Sequence, residues 1–142
     1  MTTMSISTRP SMATSALHFA AGVPGFPAAR TFSVRTWGEE PSPFYVIDCA
    51  EVLGLRFVVV APAVFFAWYQ PRFGPDVYQA VDASGPEELG VLVILTLGAK
   101  PEEATANLLG PLVVNLVTGQ AVQAVLSGSG YGAQTPLVGD QR

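Results

Sequence analysis

The sequence offers few side chains of the kinds that perform acid–base, nucleophilic or metal chemistry. It contains one histidine, His18, and one cysteine, Cys49, in 142 residues. Because a structural zinc site takes four soft ligands and a catalytic one usually takes three, we expect no self-contained zinc site. His18 could act as a general base, but no nucleophile motif accompanies it, and we interpret it as a strand-edge or surface histidine.

Three pairs of adjacent glutamates occur, at Glu39-Glu40, Glu87-Glu88 and Glu102-Glu103. Acid–base catalysis needs two carboxyl groups held in different, partly buried environments, whereas these pairs fall in predicted loops or helix starts. Gly128–Gly132 superficially has the glycine content of a phosphate-binding loop, but it lacks the lysine and a following helix. We therefore predict that the protein is not an enzyme and has no catalytic residue, bound metal or cofactor.

Phe65, Phe66, Trp68 and Tyr69 form the densest aromatic cluster of the sequence. If this segment is a strand, alternation places Phe65 and Tyr69 on one face and Phe66 and Trp68 on the other. One face belongs to the core. The other either is core as well or is an exposed aromatic patch, which is typical of protein interfaces.

Asn107 and Asn115 are polar residues set in apolar runs. Their side chains either satisfy the backbone groups of turns and strand edges, which is the interpretation we favour, or recognise the backbone of a partner.

The composition predicts one acidic, folded domain. With 49% hydrophobic and 13% charged residues, the chain has enough apolar material for one compact core. Residues 1–37 carry three arginines and no acid, whereas residues 38–140 carry 11 acids against three basic side chains. Such a body repels nucleic acid and could attract a basic protein partner, although an acidic surface can also serve solubility alone. The apolar run Val91–Leu95 is far too short to span a membrane, and the longer stretch Phe57–Tyr69 is interrupted by Pro62. A single cysteine fits a reducing cytoplasm.

Glycine and proline residues divide the chain into short apolar runs that predict strands. Val91–Leu97 is nearly all apolar and should therefore be buried on both faces or lie centrally in a sheet. Thr118-Gly119 predicts a hairpin turn, and Ser84–Glu87 predicts a short helix over Pro86–Leu89. The other predicted strands are Thr31–Trp37, Phe44–Asp48, Leu55–Val60, Ala63–Tyr69, Leu112–Val117 and Gln120–Leu126.

These elements predict an all-β fold, mainly antiparallel. We expect a single small β-barrel or sandwich of about seven or eight short strands with one or two short helices. The domain should span residues 17–138, with a flexible N-terminal tail over residues 1–16 and a C-terminal tail over residues 139–142.

Several motifs follow one another in an order that is typical of one bacterial family. Leu17–Phe26 is an apolar strand leading into Gly-Val-Pro-Gly-Phe, and Thr105–Asn115 contains Thr-Ala-Asn-Leu, then a proline, alternating apolar positions and an asparagine. The remaining matching segments are Ser42–Phe44, Phe57–Pro62 with Phe66 and Tyr69 after it, Val93–Thr96, Gln123–Leu126, Tyr131 and Pro136-Leu137. Over about residues 17–138 the chain resembles the flagellar assembly factor FliW family, with Thr105–Asn115 as the most specific block.

The resemblance implies a non-enzymatic β-barrel adaptor. FliW-type proteins bind the RNA-binding translational repressor CsrA, which relieves repression of flagellin mRNA, and they bind flagellin, which sequesters them. The implied partners are therefore a CsrA-type translational regulator and flagellin. The resemblance also implies that the protein is a cytoplasmic monomer that does not contact nucleic acid or a membrane directly. The candidate partner-binding residues are Phe44, Phe66, Tyr69, Asn107 and Asn115.

Two other functions stay open at this point. One is a flagellin-binding chaperone that does not antagonise CsrA. The other is a small β-barrel that binds a ligand or acts as an enzyme, which would require a polar pocket.

Overall fold

The computed structural model describes residues 16–138, so the two predicted tails lie outside the described residues except for Ala16, which begins the first strand. Within these residues there is one α-helix, α1 (Pro75–Ala80), and there are three short 3-10 helices, at Pro62–Val64, Pro86–Glu88 and Pro101–Glu103. The strands are β1 (Ala16–Phe19), β2 (Thr31–Thr36), β3 (Phe44–Cys49), β4 (Arg56–Val60), β5 (Leu89–Thr96), β6 (Thr105–Ala106), β7 (Leu112–Asn115), β8 (Gln120–Gln123) and β9 (Thr135–Pro136).

Seven of the strands form a closed barrel. Their order is β4-β3-β2-β1-β8-β7-β5, and β4 pairs with β5 to close the ring. β6 and β9 extend the sheet from β5. Every pairing is antiparallel except that of β1 with β8, in which His18 lies opposite Gln120. The predicted all-β, mainly antiparallel barrel is confirmed.

Two hydrophobic clusters hold the barrel together. The first fills the interior and includes Phe19, Phe32 and Leu92. The second lies outside the barrel wall, where the segment after β4 packs with β6 on Val93 and Leu95 of β5. Both faces of β5 are therefore covered, which explains why this strand is nearly all apolar and confirms the prediction that it is buried on both faces.

The predicted strand over Ala63–Tyr69 is wrong. This segment begins with a 3-10 helix and continues as turns, in which the Phe66 N–H donates to the Pro62 carbonyl at 2.8 Å and the Tyr69 N–H donates to the Phe66 carbonyl at 3.0 Å. Phe66 and Tyr69 both point inward as a result, and the expected alternation of faces is absent. Pro62 fixes its own φ in a helical range, which favours such a turn over an extended strand.

Two further features of the structure differ from the prediction, one helix and the end of one strand. Helix α1 was not predicted; it starts at Pro75, a residue suited to the first helical position, and carries Asp76 in its first turn. β8 ends at Gln123, earlier than expected, because the Ala124 N–H turns to the Pro111 carbonyl at 2.9 Å. Its hairpin with β7 is confirmed, with Gly119 at a φ of 85° in the turn.

The strand directions define two ends of the barrel. Thr36, Phe44, Val60 and Asn115 lie at one end, which we call the upper end, and its connections are residues 37–43, 61–88 and 116–119. The lower end carries the connections formed by residues 20–30, 50–55 and 97–104.

Glu51 joins two connections at the lower end. Its Oε1 accepts hydrogen bonds from the N–H of Thr31 at 2.9 Å and the N–H of Arg30 at 3.1 Å. These hydrogen bonds lower the pKa of the Glu51 carboxyl from 4.5 to about 2, and the bond from the Thr31 backbone contributes most. Hydrogen bonds to the ionised form favour ionisation, so the fold is stabilised when Glu51 carries its charge.

Replacing Glu51 with glutamine is expected to destabilise the protein near neutral pH and progressively less in acid. The folded-state pKa is lowered, so the contribution of the charge is complete above pH 4.5 and is lost as pH falls towards about 2. Denaturant unfolding of both proteins between pH 3 and 7 measures it, with the exposed Glu102→Gln as control. A stability difference that does not change with pH would contradict this role.

Candidate protein-interaction surface

The five predicted partner-binding side chains do not form one exposed patch. Phe66 is 1% exposed, Asn115 is 2% exposed and Tyr69 is 8% exposed, so these three belong to the interior. Phe44 and Asn107 are half-buried. Their positions must therefore be considered one by one.

Asn115 holds the upper end together from inside. Its Nδ2 donates to the carbonyls of Val81 at 2.9 Å and Asp82 at 3.2 Å, just after α1. Its Oδ1 accepts from the N–H groups of Val117 at 2.9 Å and Thr118 at 3.2 Å, in the β7–β8 turn. The buried amide thus fixes a turn and ties it to the end of α1, which is the backbone role that we favoured for it.

Asn107 stabilises the turn that precedes β7. Its Oδ1 accepts the Gly110 N–H at 2.9 Å, three residues on, and its own N–H donates to the Ile94 carbonyl of β5 at 2.9 Å. Short asparagine side chains commonly cap turns in this way. The side chain is half-buried and bonds within its own turn.

Tyr69 anchors the segment after β4 to the same turn. Its hydroxyl donates to the Leu108 carbonyl at 2.7 Å, and its ring meets that of Tyr131 edge-on with centroids 4.6 Å apart. Burial, and to a lesser extent Tyr131, raises the pKa of the Tyr69 phenol far above its ordinary value of 10. The phenol therefore stays neutral and available as a donor.

Replacing Tyr69 with phenylalanine is expected to lower the free energy of unfolding by about 1–2 kcal/mol, because the buried Leu108 carbonyl loses its partner while the ring packing is kept. Urea unfolding monitored by fluorescence provides the measurement. Tyr78→Phe, in α1, is the matched control and should change stability less. Equal stability of Tyr69→Phe and the parent protein would show that this bond contributes nothing.

A continuous series of aromatic rings leads from this buried region to the surface. We call it the aromatic ladder; it consists, in order of contact, of Trp37, Phe44, Phe65, Phe66, Trp68, Tyr131 and Tyr69. Neighbouring centroids are between 4.6 and 6.4 Å apart, the range in which rings attract one another. The exposed end is Trp37, at 40% exposure. Phe44 is the predicted residue that contacts it, at 5.9 Å.

Trp37 was not among the sequence-based candidates. It lies just after β2 on the outward-pointing face with Ser33 and Arg35, so a period-two reading could have indicated its exposure. Val64, at 55% exposure, and Val117, at 73% exposure, also lie at the upper end. Exposed apolar side chains are typical of protein-binding surfaces, but the lower connections carry them too, at Phe26, Leu53 and Leu97, so apolar exposure alone does not single out the upper end.

Carboxylates occur in the same upper connections as these apolar side chains. We call Glu39, Glu40, Asp82, Glu87 and Glu88 the acidic rim; they lie in the upper connections, which also contain Asp76 of α1 and the cation Arg72. Between residues 16 and 138 the ion pairs join Asp48 to Arg35 at 2.9 Å and to Arg56 at 3.4 Å, and none involves the rim. The upper end therefore presents unneutralised negative charge beside apolar surface.

The described part of the chain contains no group of three His, Cys, Asp or Glu side chains that could hold a metal ion. It also contains no helix long and apolar enough to cross a membrane. An open groove of about 640 Å³ lies between α1 and residues 122–131, with Arg72, Asp76 and Tyr131 among its lining residues. Its charged groups are one cation and one anion, which indicates no preference for a charged ligand.

Comparison with known proteins assigns a family to this architecture. The family model described as FliW protein matches residues 2–137. The flagellar assembly factor FliW of Bacillus subtilis (strain 168) is 33% identical over 122 residues, which cover 86% of this chain and 85% of the relative. The chain belongs to the FliW family. A second FliW, from Syntrophomonas wolfei, is 35% identical over 119 residues, covering 84% of this chain and 76% of the relative.

The solved structures agree on the fold. A crystal structure of the flagellar assembly factor FliW superimposes with a TM-score of 0.81 and 23% sequence identity, covering 92% of this chain and 90% of the other. The FliW-like block Thr105–Asn115 can now be located in space. It contains the Asn107 turn and the buried Asn115, so in this member of the FliW family the block supports the barrel.

Proposed function

We propose that this FliW-family chain is a non-catalytic adaptor of the cytoplasm that binds a CsrA-type translational regulator and flagellin and so controls flagellin translation. The observation that carries the proposal is the exposed Trp37 at the upper end, followed closely in the chain by Glu39 and Glu40 of the acidic rim. Phe44, whose ring contacts that of Trp37 edge-on, is the predicted residue that we place at the contact. The other four predicted residues do not contact the partner but stabilise the fold that carries the surface; they are Phe66, Tyr69, Asn107 and Asn115.

The proposed regulator binds RNA, and this activity explains how an acidic adaptor would act on it. A protein that binds RNA carries basic side chains that neutralise phosphates, and those side chains are attracted to the acidic rim. An acidic adaptor bound to such a protein also repels RNA that approaches the complex. The adaptor therefore weakens RNA binding without touching RNA itself.

Flagellin is the second proposed partner of the same adaptor. If the two partners exclude each other, free flagellin withdraws the adaptor from the regulator and repression returns. Thermodynamic linkage requires that each partner weaken the binding of the other by the same factor. The exposed apolar side chains of the upper end supply a surface for which both can compete.

Titration calorimetry of the purified chain against the CsrA-type regulator and the flagellin of one host tests the proposal. We expect binding to both, mutual competition, and weaker binding of the regulator at higher salt. Glu39→Lys should weaken regulator binding by about tenfold, since it reverses a charge of the rim. Glu102→Lys makes the same change at the lower end and should have little effect.

The outcomes of this titration separate the candidate functions. Binding of flagellin alone would favour a flagellin chaperone without CsrA antagonism. Binding of neither protein would overturn the adaptor proposal. Equal effects of Glu39→Lys and Glu102→Lys would show that the acidic rim is not the contact surface.

A further inference from the structure

The outward face of β2, β3 and β4 carries a pair of arginines. Alternate residues of these strands point into the barrel, as Phe32 and Phe57 do. Arg35 of β2, Asp48 of β3 and Arg56 of β4 therefore point outward. The register places Asp48 directly opposite Arg56, and Arg35 lies on the strand at its other side. The three side chains form one cluster on the outside of the barrel wall.

Asp48 contacts both guanidinium groups. Its Oδ2 accepts the Nε–H of Arg35 at 2.9 Å, and its Oδ1 lies 3.4 Å from Nε of Arg56. The arginine side chains are 52% and 61% exposed. In the part of the chain that the structure describes, no other carboxylate pairs with either arginine, and residues 1–15 contain no acidic side chain. Two cations thus share one anion, and their terminal N–H groups are available to a further acceptor.

Trp37 lies on the same outward face as the arginine pair. It follows Arg35 by two residues, so the two side chains point to the same side of the sheet. Its N–H donates to the Phe44 carbonyl at 2.9 Å, which places it beside the start of β3. Phe44 and Asp48 lie at the two ends of a span of roughly 13 Å along β3, at about 3.3 Å per residue. One continuous surface therefore joins an exposed aromatic ring to the arginine pair.

We propose that Arg35 and Arg56, with Trp37 as an apolar anchor, bind an acidic segment of a protein partner. Guanidinium groups pair with carboxylates through parallel N–H···O bonds. A neighbouring tryptophan supplies the kind of contact on which protein interfaces most often depend. We call Arg35, Trp37, Asp48 and Arg56 the arginine face.

Charge complementarity assigns this surface to flagellin, an assignment that rests on the proposed adaptor function. The CsrA-type regulator is the basic partner, which the acidic rim attracts and the arginine pair repels. Nucleic acid is disfavoured, because Glu39 and Glu40 follow Trp37 closely in the chain and repel phosphates. Of the two proposed partners, flagellin is the one that can present an acidic segment here.

The position of Trp37 explains how the two partners would exclude each other. Towards β2 its neighbour on the outward face is Arg35, and in the other direction the chain continues to Glu39 and Glu40. The regulator reaches the ring from the carboxylates, whereas flagellin reaches it from the arginines. Each partner has its own charged contacts, but only one can bury Trp37 at a time.

Titration calorimetry of the full chain against flagellin and against the regulator of the same host tests the inference. Arg56→Glu should weaken flagellin binding by about tenfold and should not weaken regulator binding. Arg72→Glu makes the same change in the groove beside α1, outside the arginine face, and should leave flagellin binding within about twofold of the parent. Trp37→Ala should weaken the binding of both partners.

Asp48→Asn should change flagellin binding in the opposite direction. The substitution removes the carboxylate that competes for both guanidinium groups, so flagellin should bind about threefold more tightly. The excess positive charge grows, so this gain should shrink as salt is added. Thermal unfolding shows whether the variant keeps its fold. A folded Asp48→Asn variant that binds flagellin more weakly than the parent would contradict the proposed role of the cluster.

Further outcomes would overturn the proposal. If Arg56→Glu binds flagellin as tightly as Arg72→Glu does, the arginine face is not the contact, although the adaptor function remains. If the parent chain binds no flagellin, both are overturned. RNA that binds the chain without the regulator and is lost in Arg56→Glu would identify nucleic acid as the ligand. A dimer in sedimentation that Arg56→Glu abolishes would identify a second copy of the chain.

Discussion

Replacing Asn115 with alanine is expected to lower the free energy of unfolding by about 3 kcal/mol. Four hydrogen bonds of its buried amide are lost, two to carbonyls after α1 and two from the β7–β8 turn. A single hydrogen bond contributes about 1 kcal/mol net, and a buried group left without a partner costs more than one that returns to water. Because this one side chain joins the β7–β8 turn to the end of α1, both segments should become more mobile.

Thermal unfolding measures this effect, and we expect the midpoint to fall by about 10 °C. Asn107→Ala provides a matched control, because the same substitution removes one side-chain hydrogen bond at a half-buried site. It should cost about 1 kcal/mol. If Asn107→Ala proved as damaging as Asn115→Ala, the buried network at Asn115 would not be the main reason for an asparagine in this block.

Replacing Phe66 with alanine is expected to have the largest effect on stability, about 3–5 kcal/mol. Phe66 is 1% exposed and stands in the middle of the aromatic ladder, with Phe65 at 6.4 Å and Trp68 at 5.7 Å. Truncation leaves a cavity between β5 and the segment that covers it. A variant this unstable should still unfold cooperatively if the interior cluster of the barrel remains intact.

Trp37→Ala, at the exposed end of the same ladder, should show the opposite profile. We expect a loss of stability below about 1 kcal/mol and a loss of regulator binding of at least about tenfold, as for an aromatic hot spot. Urea unfolding and titration calorimetry on both variants give the comparison. Full-strength binding by Trp37→Ala would remove the aromatic anchor from the proposed surface.

Much of the barrel could be predicted from the sequence, because period-two patterns and glycine or proline punctuation determine most strands. β5 is the clearest example, since its unbroken apolar run correctly indicated two covered faces. The segment Ala63–Tyr69 misled because aromatic residues are common in strands. Its actual role, as a turn that covers the outer face of β5, depends on contacts with residues distant in the chain.

The surface was harder to predict than the fold. Asn115 supported two interpretations on sequence alone, and only its four hydrogen-bond partners, two of them more than 30 residues away in the chain, separate these. Trp37 is a single aromatic residue after β2 in the sequence. Only its contact with Phe44 shows that it is the exposed end of the aromatic ladder.

The most direct test of the adaptor function is release of RNA from the CsrA-type regulator. A labelled flagellin leader RNA bound to the regulator is titrated with the chain, and fluorescence anisotropy follows the bound fraction. We expect that the chain lowers RNA binding, that added flagellin restores RNA binding, and that Glu39→Lys requires about tenfold more protein than Glu102→Lys. RNA binding that does not change as the chain is added at concentrations that saturate the regulator would contradict the adaptor function.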